Sequence, residues 1–343
     1  MEMDLSPVET TKLNNLWRTS RFQHSWRTVQ NIVNCRERVT NYFVRNMLMI
    51  VISCIAGTGL FLSQELGILS NNIFWGKIMM LIARLIIFLI VLQILSVLIY
   101  SFIGPAWEAK QRGKLRRIYE REILEPILQV LYPSAKIDTE NDISPNNVEE
   151  VVPVAKYYIQ SGIINLNNEK NVEIVDLYAY SMLDGSSTSN RKIKNKYEIS
   201  KFMGQVYSIK NTQSLKGNLR IVPTKHFLLI ETQGDYLDTM TGGRKINVED
   251  IQHNEHYNIY CTDEQSARMF LTPNVIKWFN NNITDHRLSL YSKDSHIYIA
   301  DYNNKRLFSP PKDKSDLSSW RIERTARDIK YVLAFAGEII EII

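Results

Sequence analysis

Between Asn46 and Gly104 the chain carries two long apolar segments separated by a short polar stretch, and no soluble fold of ordinary size has use for both. The first, Met47 to Leu66, meets its first charge at Glu65. At about 1.5 Å per residue it covers the roughly 30 Å hydrocarbon core of a bilayer. The second, Phe74 to Gly104, is longer and nearly continuous. It exceeds the apolar length at which a buried core helix is the better reading. Both are expected to be transmembrane helices. A secretory signal is a poor match for the first, because a long polar and charged stretch precedes it and no small-residue cleavage site follows Leu66.

Lys and Arg are retained on the cytoplasmic side of a membrane. Lys12, Arg18, Arg21, Arg27, Arg36, Arg38 and Arg45 precede the first segment, and Lys110, Arg112, Lys114, Arg116, Arg117 and Arg121 follow the second. The connection from Gly67 to Lys77 offers Lys77 alone. Both termini are therefore expected in the cytoplasm, with a very short hairpin tip outside.

The 343 residues leave room for one soluble domain with helical flanks. The net charge of +5 is explained by the basic flanks of the spans, so the lipid bilayer is the expected partner and no nucleic acid is. Cys35, Cys54 and Cys261 have no paired spacing, and neither a disulfide nor a zinc site is expected.

The expected architecture is α+β: an N-terminal basic amphipathic helix over 1–45, a transmembrane hairpin over 46–104, a helical stalk over 105–133, a cytoplasmic mixed sheet-and-helix domain over 150–310, and a C-terminal amphipathic helix over 316–343. Phe22, Trp26, Val29 and Val33 recur at helical spacing amid arginines. That stripe suits either the membrane interface or a packed protein face. Ser53 and Gly57 form a small-xxx-small pair that suits helix packing or self-association. Arg84 and Gln93 are the strongly polar residues of the second span; Arg84 lies close enough to its outer end to snorkel. After Gly104-Pro105 the chain resumes as a helix with a stripe of Leu115, Tyr119, Ile123, Ile127 and Val130, ending at Tyr132-Pro133. Residues 134–150 read as a loop.

Strand-like runs follow at Val172–Met182, Gly204–Lys210, Leu219–Pro223 and His226–Glu231, with a hydrophilic hairpin loop over Leu183–Lys196. A helix start is read at Thr262-Asp263-Glu264, and Thr272 caps a second helix with Pro273 at its first turn. Arg287–Ser292 and His296–Asp301 form a strand pair turning at Lys293-Asp294-Ser295. In the last helix Ile322, Ala326, Ile329, Leu333, Ala336 and Ile340 step by four and three, a seam for a coiled coil or for docking.

The segment Tyr257 to Pro273, YNIYCTDEQSARMFLTP, resembles the signature of a bacterial family of membrane proteins of unknown function, numbered thirty-one thirty-seven. It keeps the Tyr, Asp263, Ala267, Arg268 and the Leu-Thr-Pro, and has Ser266 where the family commonly has Glu. Phe202-Met203-Gly204, Val248-Glu249-Asp250, Tyr298-Ile299-Ala300 and Ser161-Gly162 fit the same pattern. The resemblance implies the architecture and no activity. Genes of that family often neighbour those of the LemA membrane-protein family, which implies a LemA-family partner.

No phosphate-binding loop, dinucleotide fingerprint, HExxH, paired CxxC or nucleophile elbow is present, and no cofactor is expected. Gly242-Gly243-Arg244-Lys245 reads as a turn. His253 and His256 lead into a strand on opposite faces, a poor metal pair. Asp263, Glu264 and Arg268 are read either as an acid and anion-binding cluster or as a capped helix with an internal ion pair at i and i+4. On the second reading Arg268 also fastens the helix start to a neighbouring loop, and Arg268→Ala is expected to cost about 1 to 3 kcal/mol if it leaves a partly buried carboxylate unpaired.

Three functions are compatible with this reading. The first is a membrane-anchored cytoplasmic sensor or interaction module without catalysis, engaging another membrane protein or itself. The second is a membrane effector that oligomerises and permeabilises the bilayer. The third is a membrane-tethered enzyme using Asp263, Glu264, Arg268 or His256.

Overall fold

Ser6 and Glu9 close a reciprocal capping box at the start of α1 (Pro7–Arg18), with Pro7 in the first turn where its missing N–H costs nothing. The chain is described by a computed structural model over residues 3–65, 73–139, 143, 145–184, 196–210, 215–223, 236, 240, 242–248, 257–282, 287–293 and 295–343. It divides into two units: Met1–Ser25, Ile118–Pro310 and Trp320–Ile343 in one, Trp26–Arg117 and Pro311–Ser319 in the other.

The second unit is dominated by α2 (Ser20–Glu65) and α3 (Ile73–Ile118), each 46 residues. Both are long and apolar enough to cross a membrane. The flank expected as one helix is broken at Thr19, which lies in extended backbone after α1; from Ser20 on, the flank and the first apolar run to Glu65 are one helix. Pro105 does not break α3, contrary to the expected interruption at Gly104-Pro105. A proline removes one N–H, and helix on both sides holds the geometry across the gap. Phe43 stacks on Tyr100 at 4.5 Å, and Asn46 Nδ2 donates to Ser96 Oγ at 3.4 Å. Leu48, Ile55, Leu85, Phe88, Leu95 and Phe102 stand exposed, a pattern that lipid accommodates and water does not.

In the first unit, α3 is followed by a π-helical turn, Tyr119–Leu124, and by α4 (Glu125–Leu131). The wider turn shifts the buried stripe by one residue. Leu124 and Leu128 therefore join Ile123 and Ile127 in the interior, while Val130 is only half-buried. It also points Glu120 fully inward, where its Oε1 accepts from the Gly162 N–H at 2.9 Å. This part of the expected stalk belongs to the folded unit: α4 packs on α1 and on the strand that follows it.

Residues 134–150, expected as a loop, contain β1 (Lys136–Asp138) and α5 (Pro145–Val151). The remaining strands are β2 (Tyr157–Asn165), β3 (Glu173–Asp184), β4 (Lys196–Lys210), β5 (Leu219–Pro223), β6 (Arg244–Ile246), β7 (Tyr257–Cys261), β8 (Arg287–Lys293) and β9 (His296–Tyr302). They form one antiparallel sheet in the order β1-β2-β3-β4-β9-β8-β5-β7-β6. The fold is α+β. The β8–β9 pair turns between Lys293 and His296 as read from the sequence. Gly242 has φ +71° and Gly243 N donates to Met240 O, the expected turn. The run His226–Glu231, the loop tip over 185–195, His253 and His256 lie outside the described residues.

Side chains alternate between the two faces of a strand, so register sorts them. One face carries Val175, Val206 and Ala300 in a row and is covered by Val148 and Val151 of α5. The other carries Ile174, Tyr207, Ile299 and Leu290. Over it lie α7 (Pro273–Asn281), which follows α6 (Glu264–Phe270), and α9 (Ile322–Ile342), which follows α8 (Lys314–Ser319). Phe335 of α9 meets Tyr207 edge-on at 5.4 Å and stacks on Trp278 of α7 at 5.8 Å. The α9 seam is a docking face. Ile322, Ala326, Ile329 and Ala336 are buried as expected, but Val332, Phe335 and Ile339 take the places read for Leu333 and Ile340. A straight helix keeps its 3.6-residue period and drifts off a strict heptad.

A polar row crosses the second face: Ser161, Asp176, Gln205 and Asp301 are successive cross-strand partners, all buried. Asp176 accepts from Gln205 Nε2 at 2.7 Å and from the backbone N–H of Phe308. Asn303 Nδ2 donates to Gln205 Oε1 and, at 3.1 Å, to Asp301 Oδ2. The strap from Asn303 to Phe308 is thereby tied across the sheet. It explains Gly162, which at φ +57° faces Phe308, while Gly204 is set by the end of β9: a Cβ there would stand 1.9 Å from Asp301 O.

Burial pushes the Asp176 carboxyl up to about 7, against the opposing pull of the Phe308 N–H and the Gln205 amide. The folded carboxyl keeps its proton up to that pH, while an unfolded one releases it near 3.8. Folding is thus favoured by acid, and this contribution is lost as pH rises from about 4 to about 7. Denaturation of the full chain in neutral detergent at pH 5, 6, 7 and 8 should show declining stability (values chosen about that window), and Asp176→Asn should flatten the decline.

Candidate functional site

The expected cluster at the start of α6 is assembled as a structural joint. Asp263 is the N-cap, its Oδ1 accepting from Ser266 N at 2.7 Å, and Thr272 caps α7 by accepting from Val275 N. Ser266 Oγ accepts from Lys216 N at 2.9 Å and Thr262 Oγ1 from Asn218 N at 2.8 Å, stitching the preceding loop to the helix. Ser266, where the resembled family has Glu, therefore has its own local partner. Ala267, Leu271, Val275, Ile276 and Phe279 are buried.

Glu264 stands between two arginines. Arg268 reaches it at 2.8 Å across one helical turn, and Arg244 of β6 at 2.6 Å. Arg268 Nη2 also donates to Asn247 O at 3.3 Å, fastening helix to loop as read from the sequence. The signature thus folds as a strand and two capped helices held by an ion pair.

Of the intramembrane polar pair, Arg84 is exposed on α3. Gln93 is partly buried, and its Oε1 has no hydrogen-bond partner among the described residues.

Sequence reading missed two features of the α5-covered face. Arg220 on β5 is fully buried between its cross-strand partners Tyr260 and Tyr291. Its Nε donates to Glu150 O at 2.7 Å, with the Glu150 carboxylate at 3.4 Å. The signal was an arginine inside the otherwise apolar run Leu219–Pro223.

The second missed feature is a cleft of about 370 Å³ at the end of the same face. The row that carries Arg220 continues through Tyr291, Tyr298, Ser208 and Glu173 to Asn165, and Lys210 pairs with His296 beyond it. Glu173, Ser208, Lys210 and His296 line the cleft with Asn165 and Asn171. Carboxyl, hydroxyl, ammonium, imidazole and amide groups thus converge on one small volume. Burial raises the Glu173 carboxyl above its ordinary range, opposed by the nearby His296. The cleft can hold a small ligand by hydrogen bonds and charges of both signs.

Arg268 and Glu264 are 49% and 31% exposed at their side chains, which reduces the cost expected from the sequence alone. Arg268→Ala should lower stability by less than about 1 kcal/mol, the range of exposed pairs. Arg268→Lys should recover part of it, since Lys lacks the planar fork. Denaturation of the full chain in detergent at low and high salt checks this: the loss should shrink as salt screens the pair.

Comparison with known proteins adds the following. No curated protein matches the chain. A solved structure, described as the crystal structure of the mycobacterial trehalose monomycolate transport factor A, TtfA, is similar over 60% of this chain and 93% of that one. The identity is 7% and the TM-score 0.29, too low to inform fold or function here. The model of a protein family matches residues 200–340, a span that includes most of β4, the capped α6–α7 joint and most of α9. The matching model is described as "Protein of unknown function (DUF3137)", and this segment of the chain is similar to it.

Proposed function

We propose that the chain is a membrane-anchored interaction module that acts by binding and without catalysis, its sheet unit taking a small polar ligand in the cleft of Glu173, Ser208, Lys210 and His296. The cleft carries this reading. It gathers groups of both charges on strands that the sheet holds rigid, and rigid elements position ligands better than loops. The groups suit a zwitterionic or polyhydroxylated molecule. The side chains of Asp263, Glu264 and Arg268 are engaged in a cap and exposed ion pairs, which supports a structural role for the α6 cluster. A LemA-family partner, or a second copy, would receive the signal in the membrane.

Thermal melts of the full chain in neutral detergent against amino acids, monosaccharides and inorganic phosphate test the cleft. One class should raise the midpoint by roughly 2 to 4 °C at saturation. Glu173→Gln and Ser208→Val should abolish that rise; a rise unaffected by both, or none with any class, overturns the reading.

The module is placed in the inner membrane of a bacterium with both termini cytoplasmic, supported by the basic residues that flank both apolar runs. The cysteines supply a test. Cys35 is exposed before the first apolar run, Cys54 lies within it and Cys261 is buried. In intact cells a membrane-impermeant maleimide should leave Cys35 unmodified, and permeabilisation should expose it. Labelling of Cys35 in intact cells would reverse the orientation.

A further inference from the structure

Where α2 and α3 leave their apolar runs, near Asn46 and Gly104, a groove of about 330 Å³ opens between them. Phe43, Ile99, Tyr100, Ile103 and Trp107 wall it, and its surface is almost wholly apolar. A second hollow of about 520 Å³ adjoins it, lined by Arg38, Asn41 and Arg45. Val39 and Tyr42 line both. The Arg45 guanidinium lies over the Tyr42 ring, 5.6 Å from its centre.

We propose that this pair of hollows is a lipid site: the groove takes one acyl chain of an anionic glycerophospholipid, and Arg38 and Arg45 hold its phosphate headgroup. The occupant follows from charge and depth. Tyr42, Tyr100 and Trp107 mark the level at which amphipathic rings settle between hydrocarbon and water. A ligand there has an apolar tail on one side and the two exposed arginines on the other. The acids of the adjoining turns are paired: Glu37 with Lys314 at 3.5 Å, and Glu108, which accepts at 2.7 Å from the hydroxyl of the groove residue Tyr100, with Arg112 at 3.7 Å. Neither hollow is lined by an acid, so the field at the arginines is positive and selects an anionic headgroup over a zwitterionic one. A guanidinium also matches the phosphate oxygens with two parallel N–H groups.

The inference rests on α2 and α3 lying in a bilayer, and the experiment separates the two. The full chain is purified in mixed micelles of neutral detergent with equal phosphatidylglycerol and phosphatidylcholine, and native mass spectrometry reads the lipid it retains. One bound lipid is expected, phosphatidylglycerol over phosphatidylcholine by about tenfold or more, from two basic groups near the surface. The double variant Arg38→Gln/Arg45→Gln should still retain lipid but with the preference brought close to parity. Ile99→Trp, which fills the groove, should reduce retention of both. Equal retention by the parent, or preference that survives the double variant, overturns the headgroup assignment. A dimer carrying no lipid would show that a second copy occupies the groove, and also overturns it. A chain that stays in aqueous solution without detergent would instead overturn the bilayer reading itself.

Discussion

A sheet of this width has two faces to bury, and the chain covers them with segments far apart in sequence. The short α5, just before the main strands, covers one; α7, α9 and the strap around Phe308 cover the other. Each cover depends on a polar anchor that the sheet holds inside. On the strap side it is Asp176, bonded to Gln205 and to the Phe308 backbone; on the α5 side it is Arg220, bonded to the Glu150 carbonyl. A buried polar group or charge without its partner is far costlier than an apolar side chain of the same size, so each anchor fixes where its cover must lie.

This division accounts for the cleft. The seven residues of α5 shield only the middle of their face, over β5, β8 and β9. Past Tyr298 the covering ends, and the next positions in the row are Ser208, Glu173 and Asn165. Polar side chains occupy the part of the face beyond the strands on which α5 packs. The other face has no such gap near Tyr207, because the long α9 runs across it.

Features written locally were legible in the sequence. The apolar runs, the caps at Asp263 and Thr272, the bounds of β5 and the β8–β9 turn each depend on residues within a few positions of one another. The buried row of Asp176, Gln205 and Asp301 was not legible, since these residues become neighbours only through strand register. The cleft was hidden for the same reason, its lining drawn from β2, β3, β4 and β9. Around Leu115 to Val130 the stripe read from the sequence holds at Leu115, Tyr119, Ile123 and Ile127, and the π-helical turn adds Leu124 and Leu128 to it and leaves Val130 half-buried. The motifs Ser161-Gly162 and Phe202-Met203-Gly204 carried a resemblance from the start, but their reason is a close approach of backbone to the Phe308 strap and to Asp301.

The two long helices differ mechanically. At about 1.5 Å per residue, each 46-residue helix is about 69 Å long, more than twice the hydrocarbon thickness. The interior of α2 contains no proline, so it behaves as a stiff rod: a tilt or a turn about its axis at one end arrives at the other with little loss. Pro105 gives α3 a compliant point, because the carbonyl of Ser101 has no amide proton to receive there. That point falls at the edge of the apolar run, where water can take up the unpaired carbonyl. A bend is therefore easier to place in α3, at the level where its apolar run ends, than in α2.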